Sequence, residues 1–285
     1  RLLNNLIGGL CGTLTQRWNA RHAGIINATW SMLKIHMVFA LPNLKPTLPM
    51  PMHSPLCGPS EMETGFHCRS CQSTAGELVL DLGEQPLANN FLEPGNLGQP
   101  EPRFPLRLTV CTECWLLQIV DIVPPVELFS EYVYFSSYSS AWVAHAAECA
   151  ERYREEFKPN HVVEIGSNDG YFLRHFAEAN ISHLGIEPAE NIAVVAREHG
   201  VETRVDFFSE FLARELVSDQ CTDLIIANNV FAHVPDINNF VEGLKVLLAP
   251  AGRVILEFPH AVEMITQGEF DTIYHEHVYY FTLTA

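Results

Sequence analysis

The sequence predicts an α/β domain built on a parallel sheet, with a small four-cysteine module in front of it. Three observations carry this expectation. From about Asn160 short apolar runs alternate with amphipathic stretches, the mark of strands joined by crossover helices. The first run, His161-Val-Val-Glu-Ile165, ends in the glycine turn Gly166-Ser-Asn-Asp-Gly170. Upstream stand two Cys-x-x-Cys pairs, Cys68/Cys71 and Cys111/Cys114.

The chain opens on a segment of different composition. Residues 1–60 hold Arg1, Arg17, Arg21, Lys34 and Lys45 and no acid, so all 34 Asp and Glu lie beyond them. Such a shift marks a boundary. The segment lacks a sustained helical or strand period and is expected to be a leader outside the domains, residues 1–61. Translated upstream sequence with initiation near Met62 fits it, as does an acid-poor targeting peptide. The net charge of −17 opposes nucleic acid as a partner, since phosphate binding needs surplus Lys and Arg. No apolar run of 18 residues occurs, so no membrane span is expected and the location is expected to be cytoplasmic. Oligomeric state is left open.

The module is expected over residues 62–120. Two closely spaced thiolates share one metal through a tight turn, and two such turns complete a tetrahedral four-sulfur shell. Cys68, Cys71, Cys111 and Cys114 are therefore the expected zinc ligands; a reduced cluster or a disulfide is the rival. Four protein sulfurs leave no place for water, which makes the metal structural. The stretch between the pairs, with Pro86, Pro94, Gly98 and Pro102, is expected to be strand and loop. Cys149 and Cys221 are expected to be buried small side chains, and Cys11 and Cys57 carry no assigned chemistry. A helical and loop connector, residues 121–160, leads into the sheet domain at 161–285.

In that domain strands are expected at His161–Ile165, His183–Glu187, Val201–Val205, Thr222–Ala227 and Arg253–Phe258. A helix runs through Ala177, Gly200 ends another, and Asp236 caps the one before the fifth strand. Ligands of such sheets sit at the carboxyl ends of the strands. The turn lets a ligand approach backbone at Gly166, Asn168 and Gly170, and Glu187 at the end of the second strand is placed for ribose hydroxyls. To this point a nicotinamide dinucleotide is still allowed.

The turn itself separates the possibilities. Glu164-x-Gly166-x-x-x-Gly170 departs from the Gly-x-Gly-x-x-Gly of dinucleotide pyrophosphate sites. It resembles the first motif of class I methyltransferases, a Rossmann-like fold, which implies S-adenosylmethionine as cofactor. Asp206-Phe207-Phe208 suits an adenine, although a capping acid and core aromatics explain those residues equally well. Ala227-Asn228-Asn-Val-Phe-Ala-His233 resembles the loop that such enzymes place beside the transferred methyl.

The last informative segment is Tyr274-His275-Glu276-His277, followed by Tyr279-Tyr280-Phe281. If extended, Tyr274 and Glu276 face one way and the two histidines the other. General acid/base chemistry, a solvated strand and a two-histidine metal site are the competing readings, in that order. With the cysteine pairs, Leu82-Gly-Glu-Gln-Pro-Leu-Ala-Asn89, Tyr132-Val-Tyr-Phe-Ser-Ser137 and the glycine turn, this segment resembles the sugar C-methyltransferases that make branched deoxysugars on nucleotide carriers. The resemblance runs from about Met62 to Phe281. It implies a nucleotide-linked keto-sugar substrate and an enolate formed by a general base. His277 is the expected base, with Glu276 or Tyr274 orienting it, and Tyr134 (Tyr132 as fallback) and His233 holding the sugar. An O- or N-methyltransferase, or a non-catalytic scaffold, are the alternatives. The family's chain continues past this motif, so the sheet is expected to lack its last strands and to expose an edge.

Overall fold

A computed structural model describes residues 34–39, 65–130, 132–217 and 222–285. Among them the main sheet has six strands: β1 (Lys34–Phe39), β5 (His161–Ile165), β6 (Ser182–Ile186), β7 (Thr203–Arg204), β8 (Thr222–Asn228) and β9 (Leu248–Pro259). Their order is β1-β9-β8-β5-β6-β7, and the pairings from β9 to β7 are all parallel. The order reverses between β5 and β8, so the crevice for a ligand opens beyond Ile165 and Asn228.

The five expected strands are all present, with boundaries moved. β6 starts one residue early, and β7 keeps two residues because only these reach β6 in register. β9 begins at Leu248, through an Ala-Pro-Ala-Gly stretch whose composition signals a turn. The expected helix after Gly170 is a turn followed by a short α3 (Arg174–Ala177). Gly200 is left-handed at φ 78° and closes α4 (Glu190–Glu198). Asp236 caps α6 (Ile237–Leu247) by accepting the Asn239 N–H.

β1 differs from expectation. It lies inside the segment read as a leader, yet it pairs antiparallel with β9, Lys34 opposite Pro259 and Phe39 opposite Val254. The β9 edge is thereby covered instead of open. Ladder hydrogen bonds are made by backbone and need little of the sequence, so six residues suffice and no long period announces them. Cys11, Cys57 and Cys221 lie outside the described residues; Cys149 is buried as expected.

Period-two alternation divides the sheet's core. Val162, Leu224, Ile226 and Ile255 face α2 (Ser140–Phe157), which packs Ala146, Cys149, Ala150 and Tyr153 against them. Val163, Ile165, Ile225, Ala227 and Val254 face the other way, toward Leu212 of α5 (Glu210–Leu216) and Phe240 and Leu244 of α6.

The cysteine module is a second, four-stranded sheet ordered β10-β4-β3-β2, from β2 (Gly76–Pro86), β3 (Arg103–Cys111), β4 (Leu117–Ile119) and β10 (Tyr279–Tyr280). Its outer strand thus comes from beyond the sheet domain's last helix, α7 (Ala261–Gln267). Leu106, Leu108 and Val110 join Phe240, Phe258 and Phe281 in one continuous apolar core. Short α1 (Pro125–Phe129) leads from β4 into the connector. Among the described residues no helix is long and apolar enough to cross a membrane.

Candidate functional site

The two Cys-x-x-Cys segments fold alike. In the first, the Cys68 N–H bonds Ser73 O and the Gln72 N–H bonds Cys68 O; in the second, Cys111 N–H bonds Leu116 O and Trp115 N–H bonds Cys111 O. Gln72 and Trp115, each four residues after the first cysteine of its pair, are both left-handed, at φ 66° and 65°. The repeat turns all four thiols inward. Cys68 Sγ lies 3.6 Å from Cys114 Sγ and Cys71 Sγ lies 3.6 Å from Cys111 Sγ. All four sulfurs fall within 4.8 Å of one another. A tetrahedron with Zn–S near 2.3 Å needs sulfur–sulfur edges of ~3.8 Å, so the quartet fits zinc. No disulfide joins these cysteines. Burial by itself would raise the Cys68 thiol, but bonds from the Cys71 and Ser70 N–H groups and the Gln118 and Cys114 side chains together bring it to about 7, while burial raises Cys71 and Cys114.

The glycine turn leaves β5 at the crevice. Gly166 (φ 66°) and Gly170 (φ 76°) are both left-handed, and a Cβ at Gly166 would stand 2.3 Å from Val230 Cγ2. These glycines therefore serve the backbone conformation and close packing inside the protein. Asn168, also left-handed, donates its N–H to Glu187 Oε2 at 3.0 Å; the Ala189 N–H meets Oε1 at 3.0 Å. Burial raises the Glu187 carboxyl, and these two N–H groups offset part of that. Each oxygen keeps a further lone pair for a hydroxyl. Glu164 lies fully buried beneath the turn, pushed well above the usual carboxylate range by burial and by Glu187 and Asp169. After β7 Asp206 is half-buried and Phe207 exposed, while Phe208 packs against the core, edge-on to Phe240 at 5.1 Å. Asn228 ends β8 with its amide 3.5 Å from the Tyr171 hydroxyl.

The connector lies across this turn. Ser136 N–H donates to Asn168 Oδ1 at 2.8 Å, Asn168 Nδ2 donates to Tyr134 O at 3.1 Å, and Ser137 N–H donates to Asp169 Oδ2 at 3.2 Å. Asp169 Oδ1 is buried without a protein partner, whereas Ser167 Oγ packs inward against Gly185 of β6. A buried orphan acceptor at a crevice suits a ligand that carries donors or positive charge.

From the turn the connector runs to the terminal cluster. Tyr274 to His277 is a turn and not an extended strand: His277 N–H bonds Tyr274 O, which brings the two side chains together. Tyr274 Oη stands 3.2 Å from His277 Nε2, and His277 Nδ1 stands 3.1 Å from Thr272 O. A carbonyl only accepts, so Nδ1 carries the proton and Nε2 receives the Tyr274 hydroxyl. Burial lowers His277 to about 4 against an opposing bond from Thr272, keeping it neutral with a free base function at working pH. His233 packs edge-on to it at 4.9 Å and is lowered well below the usual range by burial and by His277. Phe129 packs on His233 at 5.7 Å and on Tyr132 at 5.5 Å.

Glu276 is 3% exposed. Its Oε1 accepts from Asn89 Nδ2 at 2.6 Å and its Oε2 from the Tyr132 hydroxyl at 3.2 Å. Burial raises its carboxyl and these two donors offset part of the rise. Tyr132 is thus the tyrosine that bonds Glu276, with Tyr134 beside it at 6.4 Å and half exposed. His275 points away, its Nε2 donating toward Phe104 O and Pro105 O of β3 at 3.2 and 3.3 Å. The candidates Tyr134, His233, Tyr274, Glu276 and His277 therefore meet in one place. Phe129 and Asn89 are not among the residues the sequence points to; Asn89 closes the Leu82–Asn89 segment, which entered only as one of the motifs carrying the family resemblance.

A parallel sheet with a glycine turn at its switch point, an acid at the next strand's end and a four-sulfur clip defines a Rossmann-like α/β protein with a metal-stapled module. Residues 139–285 match the family model described as "Methyltransferase domain", and residues 68–129 match "Putative zinc binding domain". The chain belongs to the methyltransferase family. It is 36% identical over 221 residues to C-methyltransferase NovU of Streptomyces niveus, covering 76% of this chain and 52% of that protein. The chain thus spans about half the length of that relative. It is 30% identical over 96 residues to a ubiquinone biosynthesis O-methyltransferase of Bordetella avium, covering 33% of this chain and 40% of the other. A SAM-dependent methyltransferase structure from Archaeoglobus fulgidus aligns at 18% identity and TM-score 0.39, covering 50% of this chain and 62% of that one.

Proposed function

We propose that the protein is an S-adenosylmethionine-dependent C-methyltransferase acting on a nucleotide-linked keto-deoxysugar. The observation that carries the reading is the Tyr274–His277 pair, a hydroxyl seated on a neutral imidazole of fixed tautomer next to the buried Glu276. Similarity to a protein named as a C-methyltransferase supports it.

The residues at the crevice fit the cofactor. Glu187 would hold the ribose hydroxyls, Gly166, Asn168 and Gly170 would shape the backbone beside it, and Asp206 with Phe207 would take the adenine. Asp169 and Asn228 would meet the amino-acid end, where a buried acceptor lacks a partner. When bound, S-adenosylmethionine supplies an electrophilic methyl group.

The chain's own residues handle the proton. A hydrogen on the carbon next to the substrate's keto group passes to the Tyr274 oxygen as the Tyr274 hydroxyl proton moves to His277 Nε2. The electron pair of the broken C–H bond stays on the substrate as an enolate, the nucleophile for the methyl that a bound cofactor would give up in leaving as S-adenosylhomocysteine. His277 is the proton's terminus, which requires the neutral imidazole that burial enforces. His233, Tyr132 and Tyr134 would position the sugar, and the zinc is structural, stapling a module too small to hold a core alone.

Calorimetric titration of S-adenosylmethionine tests the cofactor, with Glu187→Gln compared to wild type. Hydrogen bonds to a charged acceptor contribute ~1.5–3 kcal/mol, so Glu187→Gln should weaken binding roughly 10- to 100-fold. Mass spectrometry of the methylated keto-sugar locates the methyl group. A methyl on carbon sustains the reading, and one on oxygen or nitrogen overturns it.

A further inference from the structure

We propose that Asn89, carried by the zinc module, is a positioning residue that fixes the orientation of Glu276 and favours its carboxylate form. The inference rests on the reading of the terminal cluster as the methyl-transfer site. Asn89 lies in the turn after β2, where its own carbonyl accepts the Phe91 N–H and the Leu87 carbonyl accepts the Asn90 N–H. Those bonds fix the backbone and aim the side chain. Its amide then reaches 187 residues along the sequence to Glu276 Oε1, at 2.6 Å.

The surroundings make that single donor matter. The titratable side chains around Glu276 are Tyr132 and Tyr134 of the connector, His233 of the loop after β8, and Tyr274 and His277 of its own turn. Burial raises the three phenols and lowers the two imidazoles, so all five are uncharged near neutral pH. An ionised Glu276 has no cation beside it among the described residues of this cluster, and the neutral donors on its oxygens oppose the burial that raises its carboxyl. These donors are two, the Asn89 amide and the Tyr132 hydroxyl, one on each oxygen. An ionised carboxylate held by two donors keeps its remaining lone pairs for substrate hydroxyls.

The module also holds the turn from both sides. Ile119 N–H bonds Val278 O at 3.0 Å, β4 pairs with β10, and His275 bonds the β3 carbonyls. Arg69, inside the first cysteine turn, donates to Ile119 O and to the Tyr279 hydroxyl. Asn89 is the point at which this support reaches a candidate catalytic side chain. The module is in this sense half of the site and not a remote staple.

The test reads Glu276 directly. In zinc-loaded protein carrying carboxyl-labelled glutamate, the Glu276 resonance is the one that disappears in Glu276→Gln, and its midpoint is followed against pH. Asn89→Leu should raise that midpoint by about one unit, the size expected for loss of a charge-assisted bond. Asn89→Asp should donate when protonated and repel when ionised, so it should keep turnover at low pH and lose it as pH rises, while Asn89→Leu is impaired throughout. Both variants should keep full zinc content and bind S-adenosylmethionine within twofold of wild type. An unmoved midpoint in Asn89→Leu, or matching pH profiles for the two variants, overturns the inference whether or not the protein transfers methyl groups. A shifted midpoint in a protein that methylates nothing would instead sustain the role of Asn89 toward Glu276 and count against the functional reading.

Discussion

Burying His277 in neutral form has a thermodynamic consequence that a simple perturbation isolates. An unfolded histidine titrates near 6.5, whereas the folded protein holds His277 at about 4. The lowered value means that the unfolded chain binds this proton more readily. Stability is therefore untouched above pH 6.5 and is lost as pH falls from 6.5 toward 4. At pH 5 nearly all unfolded chains carry the proton and roughly a tenth of folded ones do, which corresponds to a loss of ~2 kcal/mol. Urea unfolding at pH 7.5 and pH 5, on wild type and His277→Asn, measures it. Asparagine does not titrate, so other groups that change over this range cancel in the comparison. Wild type should lose ~2 kcal/mol more than the variant, or ~1 M in midpoint at a slope of ~2 kcal/mol per M. Equal losses in both proteins would refute a buried neutral His277, and with it the base function placed there.

Other perturbations address the remaining parts. Tyr274→Phe keeps the ring but removes the hydroxyl that bridges to His277, and should lower turnover by ~100-fold or more with unchanged S-adenosylmethionine affinity. Cys71→Ser should abolish stoichiometric zinc, measured by metal analysis, and loosen the β4–β10 pairing, seen as faster amide exchange at Val278 to Tyr280. Gly166→Ala places a Cβ 2.3 Å from Val230 Cγ2 on a left-handed backbone and should cost ~2–4 kcal/mol in chemical denaturation. Combining it with Val230→Ala should recover the steric part and leave the backbone part.

What was legible in the sequence follows from how local each interaction is. β5 and β8 are buried on both faces and announce themselves as short apolar runs, and Asp236 caps its helix three residues away. The four cysteines declare their metal because the paired spacing is itself the geometry. β1 gave no such signal, since it is held by backbone pairing to a strand more than 200 residues later. The Tyr274–His277 segment left its conformation open, because no glycine or proline marks the turn that the His277 N–H to Tyr274 O bond creates. Gln72 and Trp115 adopt a conformation that composition assigns to glycine, because the thiol geometry imposes it. The Asn89–Glu276 bond joins residues 187 positions apart in the sequence, and no spacing rule reaches that far.

The most direct measurement of the central claim is solvent deuterium exchange into a nucleotide-linked keto-deoxysugar. The protein is incubated with that substrate and S-adenosylhomocysteine in heavy water, so that carbon–hydrogen breakage is seen without methyl transfer. Deuterium should appear at the carbon beside the keto group with wild type and Glu187→Gln, and should be abolished in His277→Ala and Tyr274→Phe. Methyl transfer to the same sugar with no exchange, or exchange undiminished in both variants, would contradict that claim.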